Sequence, residues 1–412
     1  MARYLWLTQL YPSGLSGTSV KTKATLELLL KLGHQIDLVC IHHQSLLKPD
    51  MAWPVGLRIF VIEKAVFSLA NFKYLLANFG LLFSLVPFRI KKMDSPQFRA
   101  VIKTLLSSQK YEAVLYDGYA TLQYLTSTQA HFKNLDQNQP SYIYIDDEDI
   151  ADLMRQRYQR ELNPVLRLFF WTEWQKCLVY ERKWLKKIDQ LWAISAQTLA
   201  RLKKLTSAPA RVMPTILPIT AGVFNPRGQK LVFTGLLSWL ENINGLSWFL
   251  NEVWPLVRLE HPKVELLVMG QMAKPEFVAE LKKFSGVRLL GFVPDLKAYY
   301  RQAAAAIAPI LINCGIKIKV VTYLSYGLPV ITTTQSTWGL GSKGGILTGD
   351  TPVEFANAVN QVLASQVLRQ KLSKAALATI KNFHSPAVLI KFFHQVKFPG
   401  FETQKISKTS HQ

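Results

Sequence analysis

The chain has 412 residues, 49% of them hydrophobic, enough apolar material for two packed domains and far from the composition of a disordered polypeptide. Its formal net charge of +22 points to an anionic partner: nucleic acid, an acidic membrane surface or a phosphorylated substrate. Cys40, Cys177 and Cys314 lie far apart and form no CxxC pair, which argues against a disulfide framework or a cysteine zinc site and fits a reducing, cytoplasmic setting.

Tyr4–Leu10 reads as a strand that begins almost at Met1, so no signal peptide is expected. A Gly/Ser loop, Pro12–Gly17, leads into a helix over Ser19–Leu32, stopped by Gly33, and a second strand over Gln35–Ile41. This is a βαβ unit with a glycine-bearing first turn, but the turn lacks the G-x-G-x-x-G dinucleotide pattern. Tyr74–Phe88 carries no charge and is followed by Arg89, Lys91 and Lys92. The run is too short to span a bilayer comfortably, and two readings stay open: a buried helix pair with a basic cap, or an interfacial segment on anionic headgroups. A helix over Gln97–Leu106 precedes two strands, Ala113–Tyr116 ending at Asp117-Gly118, and Ser141–Ile145 ending at Asp146-Asp-Glu-Asp149. Carboxylates at the carboxyl ends of parallel strands lie where open α/β sheets bind ligands. Some of these four acids must be solvated or paired, with Arg155 and Arg157 as the nearest candidates; a solvated helix N-terminus is the bland account. Pro164–Lys187 has helical spacing, with Trp171 and Trp174 expected in the core, and Gln190–Ser195 is a strand before a basic helix reaching Leu205.

Residues 206–229 concentrate proline and glycine and read as a linker between domain 1–205 and domain 230–385. In the second domain strands are expected over Lys230–Thr234, Val264–Met269, Val287–Leu290 and Ala303–Pro309, with helices over Asn244–Leu259 and Leu296–Gln302. The stretch Asn313–Thr333 then reads as loop, helix, turn and strand. Gly315 opens it, a helix runs to about Tyr326, Gly327 stops that helix in the left-handed region, and Leu328–Thr333 is a buried strand. Lys317 and Lys319 fall at the helix opening, where free backbone N–H groups and two ammonium groups suit a phosphate or diphosphate; two solvated lysines on an ordinary loop are the alternative. Helices follow over Pro352–Ala364, Val367–Asn382 and, after Pro386, Val388–Val396, with a polar tail after Gly400 expected to be disordered.

Several of these segments resemble glycosyltransferase family 4. Phe233-Thr-Gly235 with Asn242, Trp248-Phe249 and Val253-Trp-Pro255 is similar to the family's first donor-domain segment, and Gly291-Phe-Val-Pro-Asp295 to its GFVPD turn. Ala308-Pro309, Gly315-Ile-Lys-Ile-Lys319 and Gly327-Leu-Pro-Val330 are similar to its donor-binding core, and Gly17 and Lys21 stand where it has a glycine loop and often an arginine. The likeness covers most of residues 1–390, and the order and spacing of the segments carry it more than any one of them.

The resemblance implies a GT-B fold, two Rossmann-like domains facing each other across a cleft, with a C-terminal helix over 386–400 returning to the first domain. It implies a retaining sugar transferase that holds a nucleotide-sugar donor in the second domain and a glycan or lipid-linked acceptor in the first. The donor phosphates would meet Lys317, Lys319, Gly315 and Gly17, and the nucleotide or sugar would meet Gly235, Thr322 and Cys314. Gly14 and Asp117 would lie on the acceptor side, with Asp149 as the candidate catalytic residue. Neither a cofactor nor an obligatory metal is implied, and the setting is cytoplasmic, peripheral on the inner membrane face. The chain departs from the family at two positions: Cys314 and Thr322 stand where two glutamates eight residues apart are common, and the usual N-terminal histidine has no clear counterpart, with Glu148 or Asp149 near its place. These departures sustain a second reading, a catalytically silent binding or partner protein on the same fold. Nucleic acid is not an expected partner, because the aromatics lie on apolar helix faces and no nucleic-acid module is present.

Overall fold

The computed structural model describes residues 1–13, 17–43, 53–64, 84–133, 139–218, 220, 223–271, 273–312 and 316–401. Gly14, Cys314, Gly315, most of the Tyr74–Phe88 run and the tail beyond Phe401 lie outside the described residues. The chain divides into two compact units, Met1–Pro214 with Leu389–Gln412, and Thr215–Val388.

The first unit is built on seven parallel strands: β1 (Arg3–Thr8), β2 (Gln35–His43), β3 (Leu57–Lys64), β4 (Ala113–Asp117), β5 (Ser141–Asp146), β6 (Gln190–Ala193) and β7 (Ala210–Val212). Their order is β3-β2-β1-β4-β5-β6-β7. The centre of the sheet is apolar on both faces: every residue of β4, and all but the first of β1 and β5, is buried. Chain direction across the sheet reverses between β1 and β4, the crevice at which doubly wound sheets take ligands. The Pro386–Gln395 helix and the residues after it close this unit's core, with Phe392 edge-on to Trp192 at 5.2 Å and Phe398 stacked on Tyr4 at 4.7 Å.

The second unit repeats the plan with six parallel strands, β8 (Lys230–Thr234), β9 (Leu266–Met269), β10 (Val287–Gly291), β11 (Ala303–Ala308), β12 (Val330–Thr332) and β13 (Ile346–Thr348), ordered β10-β9-β8-β11-β12-β13. Its reversal point lies between β8 and β11. Both units are thus Rossmann-like.

Three expectations change in detail. Arg211 and its neighbours form β7 inside the stretch read as a linker, because Leu191–Ala193 offers them an open sheet edge. The Asn244–Leu259 helix is divided: Leu240–Trp248 and Trp254–Glu260 flank a wider π turn at Phe249–Val253. Pro255 sits in the first turn of the later segment, where its missing N–H and its ring prevent the regular i→i−4 bond. Trp171 is exposed rather than in the core, while Trp174 is half-buried and stacks on Tyr158. In the basic cluster after Phe88, Arg89 is paired with Glu148 at 2.8 Å. Among the described residues no helix is long and apolar enough to cross a membrane.

Gly245 sets how closely the Leu240–Trp248 helix approaches the end of β11. A Cβ there would stand 1.8 Å from the Pro309 carbonyl oxygen, a backbone atom that cannot step aside. Gly33 is a different case, at φ +83° with no atom within 4 Å of its would-be Cβ. Gly245→Ala should therefore lower unfolding free energy by about 3 kcal/mol or more, or prevent folding. Gly33→Ala should lower it by only about 1 kcal/mol, as urea titration of the two variants will measure.

Candidate functional site

The second unit brings its chemistry to the carboxyl ends of β8, β11 and β12. β8 ends at Thr234, whose N–H and hydroxyl both donate to the Tyr323 hydroxyl at 2.7 and 2.8 Å. That pair ties the strand end to the Ile318–Ser325 helix, for which Lys317 is the N-cap. Gly327 follows at φ +74°, the left-handed stop expected of it. Lys319 falls in the first turn and reaches back under β8. Its Nζ donates to Asn242 Oδ1 at 2.6 Å and lies 4.4 Å from the centroid of the Phe233 ring. Gly235 admits this approach: a Cβ there would sit 2.9 Å from Asn242 Nδ2 and 3.1 Å from Lys319 Nζ.

Lys319 is half-buried as a residue, but protein atoms crowd its ammonium. Its contacts among the described residues are an amide oxygen and an aromatic face, with no carboxylate in ion-pair range. Burial, and then repulsion from Lys317, lower its pKa to about 7. The amide oxygen and ring quadrupole orient the charge without neutralising it, which leaves a cation suited to an incoming anion. Thr322 lies one turn further along and donates its hydroxyl to the Ile318 carbonyl at 2.8 Å, inside its own helix. The structure therefore brings Lys319 to Gly235 at the end of β8, with Lys317 and Thr322 on the same helix as Lys319, and adds Asn242 and Phe233 as the groups that hold Lys319. Asn242 was visible in sequence as part of a likeness; its partnership with Lys319, 77 residues away, was not.

The first unit gathers polar groups at the ends of β1, β4 and β5. Asp117 is fully buried; its Oδ2 accepts from Thr22 Oγ1 at 2.6 Å and Trp6 Nε1 at 3.1 Å, and Lys21 Nζ lies 3.5 Å from its Oδ1. Gly17, at the start of the Gly17–Lys31 helix, is exposed. The acidic run after β5 separates into distinct roles. Asp146 accepts from Tyr144 at 2.7 Å, and Glu148 pairs with Arg89. Asp149 caps the Ile150–Arg160 helix by accepting from Asp152 N–H at 2.9 Å, and Arg201 binds it through two nitrogens while also holding Glu181. Asp149, the catalytic candidate from sequence, is thus fixed inside the fold by a cap and the half-buried Arg201. The expected partner Arg155 faces Asp152 instead, one turn into the helix.

Asp147 is the acid that remains. It is buried, accepts only a 3.5 Å contact from Gln9 Nε2, and its Oδ1 has no hydrogen-bond partner; Gln9 Oε1 and Thr8 Oγ1 beside it are likewise unpartnered. Burial raises the Asp147 pKa to about 7, against an opposing pull from Lys21.

Residues 228–365 match the family described as glycosyl transferases group 1. An uncharacterised 44.6 kDa protein from the cps region of Klebsiella pneumoniae is 22% identical over 329 residues, covering 78% of this chain and 79% of that protein. Among solved structures, sucrose-phosphate synthase from Thermosynechococcus elongatus superposes with a TM-score of 0.69 at 13% identity, over 96% of this chain and 98% of that one. S. aureus TarM, in a complex that contains UDP, gives 0.67 at 8% identity over 98% and 100%. Anabaena HepE, in complex with UDP and glucose, gives 0.58 at 13% identity over 96% and 100%. Residues 228–365 are thus similar to the group 1 glycosyl transferases, and the chain has the GT-B fold of these structures, resembling glycosyltransferase family 4.

Because Asp147 binds its proton more tightly folded than unfolded, its contribution to stability is present below about pH 4 and is lost as pH rises through about 7. Asp147→Asn should therefore be more stable than the wild type at pH 8, by about 2 kcal/mol, with the gap closing by pH 4. Denaturant titrations at the two pH values will check the sign; equal gaps would remove Asp147 as the titrating group.

Proposed function

We propose that the protein transfers a sugar, with retention, from a nucleotide-diphosphate donor to a glycan or lipid-linked acceptor in cell-surface polysaccharide or glycolipid synthesis. The observation that carries this reading is Lys319: a crowded ammonium held by Asn242 and Phe233 at the reversal point of the second sheet, beside the opening of a helix. As the bond between sugar and diphosphate breaks, negative charge grows on the departing phosphate, and an oriented cation in a low-dielectric setting stabilises it without a metal. Lys317 and the helix N–H groups add to the same field. Gly235 keeps the space above Lys319 open, and Gly17 and Gly315 are assigned to the same phosphate group by resemblance. Thr322 and Cys314 are assigned to the nucleotide or sugar, and Gly14 and Asp117 to the acceptor side.

In the first unit the acceptor or sugar hydroxyls are assigned to Asp147, Gln9 and Thr8, whose unpartnered oxygens accept hydrogen bonds that hydroxyls can donate. Asp149 is not part of this assignment, since Arg201 and the helix cap occupy it. The solved complexes of TarM and HepE contain UDP, and the Klebsiella relative comes from a cps region, which supports UDP as the first nucleotide to test and a surface polysaccharide as the first acceptor class. A second reading, binding without turnover, is favoured by Thr322, whose hydroxyl is bonded within its own helix and carries no charge for a ribose.

Calorimetry with UDP, GDP, ADP and TDP separates the two. One nucleotide should bind at micromolar concentrations, and the Lys317→Ala, Lys319→Ala double variant should lose at least about 2 kcal/mol of that binding. Binding followed by donor hydrolysis or transfer fits the enzyme; binding with neither fits the silent protein. No binding to the well-folded wild type would sink the donor-site assignment. The pH dependence has a definite sign: a bound diphosphate favours the charged Lys319, so complex formation above pH 7 should take up a proton and affinity should fall from pH 7 to 9. Buffers of different ionisation enthalpy will reveal that proton, and Lys319→Met should abolish its uptake.

A further inference from the structure

The Ile150–Arg160 and Pro164–Trp184 helices form a hairpin whose tip is unusual for a soluble surface. Every residue from Leu162 to Leu168 is exposed, with Leu162 at 93%, Val165 at 75% and Leu168 at 61%. Five of the seventeen exposed large hydrophobics among the described residues fall within Leu162–Trp171, so the patch is a cluster rather than the usual scatter. The exposure does not come from a loose loop. Asn163 caps the second helix by accepting from Val165 N–H at 3.0 Å and Leu166 N–H at 3.2 Å, and Pro164 occupies its first turn. Arginines cross between the helices: Arg157 lies 5.7 Å from the Phe170 ring and Arg167 lies 5.2 Å from the Tyr158 ring.

The charge at this tip is mainly basic: residues 155–168 contain four arginines against one glutamate, Glu161, which accepts from Asn163 N–H at 2.9 Å. Arg160 and Arg167 stand exposed beside the leucines. A second copy of this chain carries the same net charge of +22 and is a poor electrostatic match.

We infer that this hairpin tip is a docking surface for anionic lipid: Leu162, Val165, Leu166 and Leu168 enter the headgroup–acyl boundary while Arg160 and Arg167 pair with lipid phosphates. The helix lies at the interface and does not span it. Aliphatic insertion supplies affinity, and the guanidinium groups select the anionic headgroup through paired N–H···O bonds. This inference stands apart from the transferase reading, since it uses none of the strand-end residues.

The test is flotation of the full chain with vesicles of phosphatidylcholine alone, and with about a third of the lipid replaced by phosphatidylglycerol. The wild type should float with the anionic vesicles and not with the neutral ones, and raising salt from about 0.05 M to about 0.5 M should weaken binding. A Leu162→Ser, Val165→Ser, Leu168→Ser variant should lower the partition coefficient by about tenfold or more, and Arg160→Gln, Arg167→Gln should lower it by about fivefold. All five positions are exposed, so both variants should stay folded, Arg167→Gln giving up only the contact with the Tyr158 ring. A control with Leu259→Ser and Val367→Ser, exposed hydrophobics of the second unit, should bind as the wild type does. The inference is overturned if the wild type fails to float, if the tip variants float undiminished, or if the control loses binding as the tip variants do. Concentration-dependent dimerisation that the serine variant abolishes, without vesicle binding, would overturn it in favour of self-association.

Discussion

The site of the second unit depends on a charge brought close to backbone and left without a countercharge. Lys319 reaches the end of β8 only because Gly235 has no side chain to occupy the same space. Asn242 and the Phe233 ring face its ammonium with oxygen and π density, while burial and Lys317 lower its pKa to about 7. Asn242 in turn is placed by the Leu240–Trp248 helix, and that helix is set against the end of β11 by the bare Cα of Gly245. Glycines at two points of a helix–strand crossing thus position a lysine that lies far away in sequence. A strand end, a helix start and a close backbone approach are the ordinary means by which a doubly wound sheet makes an anion site.

The first unit has the same sheet order but fills its reversal point with the opposite chemistry. Lys21 is there too, yet it lies against Asp117 Oδ1, whose other oxygen accepts from Trp6 and Thr22. What remains is acceptor capacity: Asp147, Gln9 and Thr8 each carry an oxygen with no partner. One unit therefore offers a cation that lacks an anion, and the other offers acceptors that lack donors.

The central strands could be read from sequence because they are buried on both faces and appear as unbroken apolar runs, as in Ala113–Tyr116 and Ala303–Pro309. Gly327 was legible because a helix followed immediately by a strand needs a left-handed stop. The edges were not: β7 and β13 have three residues each, too few to show a period, and the half-buried β3 mixes Arg58, Glu63 and Lys64 with its apolar residues. The acidic run failed for another reason. Asp146, Asp147, Glu148 and Asp149 are near-identical chemically, and only the positions of Tyr144, Gln9, Arg89 and Arg201, all set by tertiary packing, assign each its role. Trp171 was misplaced because helical spacing identifies a shared face but not whether another element covers it.

Thr322 turns the charge balance at this site. A carboxylate in that helix would offset the field of Lys317 and Lys319 and would itself accept from sugar or ribose hydroxyls. A threonine bonded to Ile318 does neither, so the strand-end region is left more positive and its hydroxyl recognition weaker. The first change favours phosphate; the second relaxes the grip on whatever the phosphate carries. On the proposed donor reading, charge selection then falls to Lys319, and hydroxyl selection is left to uncharged groups of the same unit, so a phosphate is gripped more firmly than whatever it carries.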